Sequence, residues 1–154
     1  MGVTGYSFEI VSSVPADKLF KATVYDMHEL APKVMPEVVK SAAIHGDGGV
    51  GTFKEFHFTE VIPYNYVKER IESLDKHNFV CSYSLVEGGQ LGTKVKGCNY
   101  TVKIEPSATG SVLKVSVEIE TVDGVEFTAE ELKKEKEGTV GTYKAIEAYL
   151  QANA

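Results

Sequence analysis

The chain has 154 residues, 43% of them hydrophobic and 25% charged, and carries a formal net charge of −6. That length predicts a single domain over residues 1–154, large enough to bury a core without disulfide or metal staples. The acidic balance offers no general field to a polyanion, so nucleic acid is not an expected partner, and no apolar run is long enough to cross a bilayer.

The first residues, Met1-Gly2-Val3-Thr4-Gly5-Tyr6, lack the basic and apolar regions of an export signal. Tyr6 stands where a myristoylation signal needs Ser or Thr. With only two cysteines, this predicts a protein of the reducing cytoplasm. Tyr6, Phe8 and Ile10 alternate with polar neighbours and predict a first strand. Pro15 suits the first turn of a helix, and Leu19, Phe20 and Val24 form an apolar stripe at helical spacing. Pro32 and Pro36 bound a second short helix around Met27 to Val34.

Val38 to Ile44 reads as a strand leading into Gly46-Asp47-Gly48-Gly49-Val50-Gly51. A phosphate-binding Walker loop requires Gly-Lys-Ser/Thr and then a helix. Here Thr52 to Phe58 follows, with Phe56 and Phe58 alternating as in a strand, and the glycines miss the Gly-x-Gly-x-x-Gly spacing. The loop is therefore expected to be a stiff turn between two strands. Further strands are predicted at Tyr66 to Leu74, Phe79 to Leu85 and Val95 to Ile104. The Leu113, Val115, Val117, Ile119 alternation makes the last strand the clearest of all.

From Thr128 to Ala152 the period becomes helical, opened by a Thr128–Glu131 capping box. Gly138 and Gly141 lie inside this helix, where each costs about 1 kcal/mol relative to Ala. They mark either a kink or a stretch that withholds side-chain volume from the interior. The order is one strand, two short helices, six antiparallel strands and one long helix, an α+β arrangement. One helix cannot fill the concavity of a bent seven-stranded sheet, so an internal cavity is expected.

Several strings in order carry a resemblance over essentially the whole chain: Met-Gly-Val at 1–3, Leu-Phe-Lys-Ala at 19–22, Pro-Lys-Val at 32–34 and Gly-Asp-Gly-Gly-Val-Gly-Thr at 46–52. Tyr-Val-Lys-Glu-Arg at 66–70, Val-Glu-Gly-Gly at 86–89 and Glu-Ala-Tyr-Leu at 147–150 complete them. The chain resembles the plant class-ten pathogenesis-related proteins, the family of the major birch pollen allergen. The resemblance implies the helix-grip fold, a curved seven-stranded antiparallel sheet around a long C-terminal helix with a hydrophobic cavity. It also implies a cytosolic plant protein of defence and stress that binds small apolar or amphipathic metabolites of the cytokinin, flavonoid or sterol classes. No cofactor or metal is expected, and the chain is expected to be a monomer.

Strand parity together with the family pattern turns Lys54, Phe56, Phe58, Val67, Glu69, Phe79, Cys81, Tyr83, Leu85, Cys98, Tyr100, Val102, Val115 and Val117 inward. Lys54, Glu69, Tyr83 and Tyr100 are the polar members expected to orient a guest, unless they only satisfy one another, as in a Lys54–Glu69 ion pair. Thr23, Met27 and His28 on the short helices, and Gly138 and Thr142 on the last one, join the expected ligand-binding set. For His28 the preferred reading is an exposed helix residue, with ligand contact the alternative. Thr23 and Ala31 stand where the birch allergen often has phenylalanine, which implies a wider entrance. Cys81 and Cys98, roughly equidistant from Gly89, would face each other in a regular hairpin, as a disulfide or as two free thiols, and a cytosolic setting favours thiols.

Enzymatic relatives supply two further expectations. In those that perform Pictet–Spengler condensation, the lysine position corresponds to Cys81 here and only the glutamate, Glu69, matches, so that chemistry is not expected. A ribonuclease activity ascribed to the family would use Lys54, Glu147 and Tyr149, with Lys96 in place of a first glutamate. The stretches 61–65 and 88–93 do not reproduce the gate and latch strings of related hormone receptors.

Overall fold

The structure, a computed structural model, describes residues 2–154. Strand β1 (Val3–Ser12) leads to α1 (Ala16–Phe20), a π-helical turn (Lys21–Tyr25) and α2 (Met27–Val34). Six strands follow: β2 (Val39–His45), β3 (Phe53–Phe58), β4 (Tyr66–Asp75), β5 (Val80–Gly88), β6 (Val95–Ser107) and β7 (Gly110–Thr121). The chain ends in α3 (Ala129–Ala152). The strands form one antiparallel sheet in the order β1-β7-β6-β5-β4-β3-β2.

Each boundary has a local cause. Pro15 caps α1 without needing its missing N–H, and the Leu19 amide donates to the Pro15 carbonyl. Asp26 leaves helical geometry between the π turn and α2 while its carbonyl starts α2 by accepting from the amides of Glu29 and Leu30. Thr128 accepts from the Glu131 amide at 3.0 Å and Glu131 reaches back to the Thr128 amide at 2.9 Å, so the expected capping box opens α3. Asp75 closes the β4–β5 turn by accepting from the amides of His77 and Asn78.

Curvature comes from bulges. The register shifts between Val39 and Ser41, between Lys68 and Glu69, and between Ile71 and Ser73, and such extra residues bend a strand and increase its twist. The core fills one part of the resulting concavity. Leu19 and Phe20 of α1 belong to one buried cluster with Val102, Ile104, Leu113 and Val115 of β6 and β7, and with Ile146 of α3. Elsewhere the space between the sheet and α3 stays open.

The glycine-rich segment is a strand connection, as its sequence implies. The Thr52 hydroxyl accepts from the Gly48 amide at 2.9 Å, and the Gly51 amide donates to the Ile71 carbonyl. Gly46 has a positive φ of 132°, and a Cβ there would meet the Thr52 hydroxyl oxygen at 2.8 Å. A side chain at that position would therefore be strained twice over.

Candidate functional site

A cavity of about 1020 Å³ lies between the concave sheet, the short helices and α3. From the sheet it is lined by Lys54, Phe56, Phe58, Val67, Glu69, Ile71, Cys81, Tyr83 and Tyr100. The short helices add Thr23, Val24, Met27 and Ala31, and α3 adds Glu135, Gly138, Thr139, Gly141, Thr142 and Tyr143. The glycines of α3 explain part of the open space. The helix runs unbroken past both, and a Cβ at either position would meet no atom within 4 Å. Exposed lining residues mark the mouth: Val61 and Pro63 in the β3–β4 loop, Glu37 after α2, and Lys134, Glu137, Gly138 and Gly141 on α3.

The polar groups inside are few and unevenly satisfied. Lys54 is 7% exposed, and its Nζ donates to the Val24 carbonyl in the π turn. Glu69 stands directly opposite Lys54 in the β3–β4 register. The expected Lys54–Glu69 ion pair does not form, and among the described residues no side chain hydrogen-bonds the Glu69 carboxyl. The reason is local: the π turn presents a carbonyl that takes the ammonium first. Burial lowers the Lys54 pKa, with Glu69 acting against it. Burial likewise pushes Glu69 up to about 7, opposed by the charge of Lys54.

Tyrosines supply further polar groups of the lining. The Tyr83 and Tyr100 rings stack at 4.7 Å between centroids, 13° from parallel, and their backbones are paired across β5 and β6. The Tyr83 and Tyr143 hydroxyls share a hydrogen bond of 3.0 Å, which ties the sheet to α3. Tyr6 and Thr139 make a second such tie at 2.7 Å. Burial raises the pKa of Tyr83, Tyr100 and Tyr143, and pushes Tyr6 and Tyr64 up to about 12. All five stay protonated hydrogen-bonding groups at neutral pH. Burial also raises Cys81 and Cys98 to about 11, so neither thiol ionises there.

Several residues expected to face the ligand lie elsewhere. Val102 and Val115 are packed into the core with α1, without reaching the cavity. Phe79 sits at the end of the β4–β5 turn with a positive φ of 55°, which turns its ring onto Phe20 at 5.4 Å. Leu85, Cys98 and Val117 border a separate side cavity of about 50 Å³. His28 neither lines the cavity nor stands exposed: its side chain is 15% exposed beside Glu29, at 3.6 Å. Thr23 and Thr142 do line the cavity, but their hydroxyls donate to the Leu19 and Gly138 carbonyls. None of Gly46, Asp47, Gly48, Gly49, Val50 or Gly51 reaches it.

The cysteines do not face each other. Cys81 is opposite Val102, four residues beyond Cys98, because the β5–β6 loop is not a regular turn, and both thiols are free. Nor does the structure bring Lys54 together with Glu147 and Tyr149, since only Lys54 lines the cavity and the Tyr149 ring lies under Lys33 Nζ at 5.2 Å. Among the described residues no cluster of His, Cys, Asp or Glu is placed to hold a metal ion.

Sequence reasoning missed Tyr6, Tyr64, Glu135, Thr139 and Tyr143 as lining residues. The signal for three of them was present: Tyr6 shares the alternation of Phe8, and Thr139 and Tyr143 share one helical face. Tyr64 lies in a loop, where no periodicity reports direction.

The family model described as "Pathogenesis-related protein Bet v 1 family" matches residues 1–153. The major strawberry allergen Fra a 1.08 of Fragaria ananassa is 44% identical, over 99% of this chain and 97% of its own. The probable intracellular pathogenesis-related protein T1 of Catharanthus roseus is 45% identical, over 99% of this chain and 98% of its own. The crystal structure of Ara h 8.0201 superposes with a TM-score of 0.83 at 34% identity, covering 98% of this chain and 99% of that one. Matched from end to end by that family's model and by relatives of nearly its own length, the chain belongs to the Bet v 1 family.

Proposed function

We propose that the protein binds and carries a small amphipathic plant metabolite in a defence setting. The observation that carries this reading is the cavity of about 1020 Å³, walled mainly by apolar side chains with polar groups set among them. That size and lining suit ligand sites generally. A guest with an apolar ring system would displace weakly held water against Phe56, Phe58, Val67 and Ile71. Its polar substituents would meet Lys54, Glu69 and the Tyr83–Tyr143 pair. Cytokinins, flavonoids and sterols are the classes proposed. The family description supports the defence setting, and the Catharanthus roseus relative, named as intracellular, supports an intracellular location. Among the described residues no helix is long and apolar enough to cross a membrane.

The test is titration calorimetry with a panel from those three classes, on the wild type and on Lys54→Met and Tyr83→Phe. Micromolar binding by one class, weakened about tenfold or more by either substitution, is expected; tenfold corresponds to about 1.4 kcal/mol. Binding weaker than about 1 mM for every compound, roughly −4 kcal/mol, would overturn the reading.

A further inference from the structure

Lys54 and Glu69 pose a question that simple binding does not answer. A buried lysine facing a glutamate across a strand pair normally closes an ion pair, because each charge needs a partner. Here the two are in direct register and both line the cavity, yet no ion pair forms. Lys54 Nζ is held by a neutral carbonyl, that of Val24. The Glu69 carboxyl has no hydrogen-bonding partner among the described residues, and the bulge at Lys68/Glu69 lies directly at its base. An amine and a carboxyl thus face one apolar space, separated and unneutralised.

We infer that Lys54 reversibly captures lipophilic aldehydes as an imine, with Glu69 shuttling the protons. This deepens the cavity-binding reading and rests on it. Burial favours the neutral form of both groups, a nucleophilic amine and a carboxylic acid, against the weaker pull of Glu69 on Lys54; Cys81 and Asp26 are the other titratable groups acting on the amine. The Nζ lone pair attacks the carbonyl carbon, the C=O π pair moves to oxygen, and that oxygen takes the Glu69 proton. The Glu69 carboxylate then removes a proton from the new ammonium nitrogen, giving the carbinolamine. Glu69 next protonates the carbinolamine hydroxyl, which leaves as water while the nitrogen lone pair forms C=N. The iminium proton returns to Glu69. Amine and aldehyde give imine and water, and no oxidant or reductant is consumed. A guest that fills the cavity favours the dehydrated product by displacing water from the apolar wall.

The test is reductive trapping. The protein is incubated at neutral pH with one equivalent of hydrocinnamaldehyde and sodium cyanoborohydride, and the adduct is located by peptide mapping. Lys54 is expected to carry several-fold more adduct than exposed lysines such as Lys18 and Lys136, since burial lowers its pKa and so raises the fraction of neutral, nucleophilic amine. Lys54→Arg keeps a donor for Val24 yet cannot form an imine, so the cavity adduct should vanish while surface labelling persists; Lys54→Met is the second variant. Glu69→Gln should slow labelling at Lys54 alone, and an unchanged rate would overturn its role as proton shuttle. Hydrocinnamyl alcohol, titrated in parallel, separates the two readings. Binding of the alcohol with Lys54 unlabelled by the aldehyde would overturn the imine inference only. Absence of binding by both compounds would overturn the inference and count against cavity binding itself.

Discussion

Glu69 ties the chemistry of the cavity to the stability of the fold. Its folded-state pKa of about 7 lies above the ordinary value of 4.5 because burial disfavours the carboxylate. Between those values the folded state binds more protons than the unfolded one, so stability falls as pH rises. The contribution is fully present below pH 4.5 and is lost as pH passes through 7. At about 1.4 kcal/mol per unit, and allowing for a carboxyl that faces open space rather than packed protein, the loss is about 1–3 kcal/mol. Glu69→Gln should remove this dependence and leave the variant more stable than wild type at pH 8, as urea midpoints across a pH series would show. A variant whose midpoints follow the wild-type pH curve would contradict the assignment. Tyr83 carries a second prediction. Tyr83→Phe leaves the hydroxyl of Tyr143, a buried residue, without its partner at 3.0 Å. Stability should fall by about 1 kcal/mol, the usual net worth of a buried hydrogen bond, without change in the far-ultraviolet dichroism.

At the scale of elements, α3 trades stability for volume. Gly138 and Gly141 have helical backbones, and a Cβ at either would touch nothing within 4 Å. Replacing each by Ala should therefore stabilise the protein by about 1 kcal/mol through helix propensity, measured as a raised midpoint in urea. A lowered midpoint would mean that the positions are conformationally special after all. The same substitutions project methyl groups into the mouth of the cavity, so large guests should bind more weakly to the stabilised protein. The capping box works the other way: Thr128→Ala should cost about 1 kcal/mol, because the Glu131 amide loses its acceptor, and thermal denaturation would register it. These helix features were legible because they are local, set by residue type and a spacing of three. The inward face of the sheet was legible wherever alternation is unbroken, as at Lys54, Phe56 and Phe58. It failed at Phe79, where a left-handed turn residue redirects the ring. It failed also for Cys81 opposite Cys98, because counting outward from a glycine assumes a regular turn.

For the whole molecule, what separates cavity from core is coverage, and coverage is not a property of any one strand. Val102 and Val115 obey the same parity as Tyr100 and Val117, yet they are core because α1 belongs to their cluster, while Tyr100 faces space left by α3. No periodicity reports which stretch of a concave sheet a short helix will cover, so the number of inward residues was readable and their division was not. The same division sets how the protein should respond to its guest. The core cluster beneath α1 is complete without a ligand, so the empty protein should fold cooperatively. The cavity end relies on the Tyr83–Tyr143 and Tyr6–Thr139 ties between the sheet and α3. A guest that binds only the folded state adds RT ln(1 + [L]/Kd), about 2.7 kcal/mol at a hundredfold excess over Kd. In a chain of 154 residues each kcal/mol raises Tm by about 2–4 °C, so saturation should raise it by about 5–10 °C. Hydrogen exchange should slow most in α3 around Gly138 to Tyr143 and least in β6 and β7 beneath α1. Uniform slowing over both regions would mean that the two ends open only by global unfolding, and that the cavity end is no looser than the core.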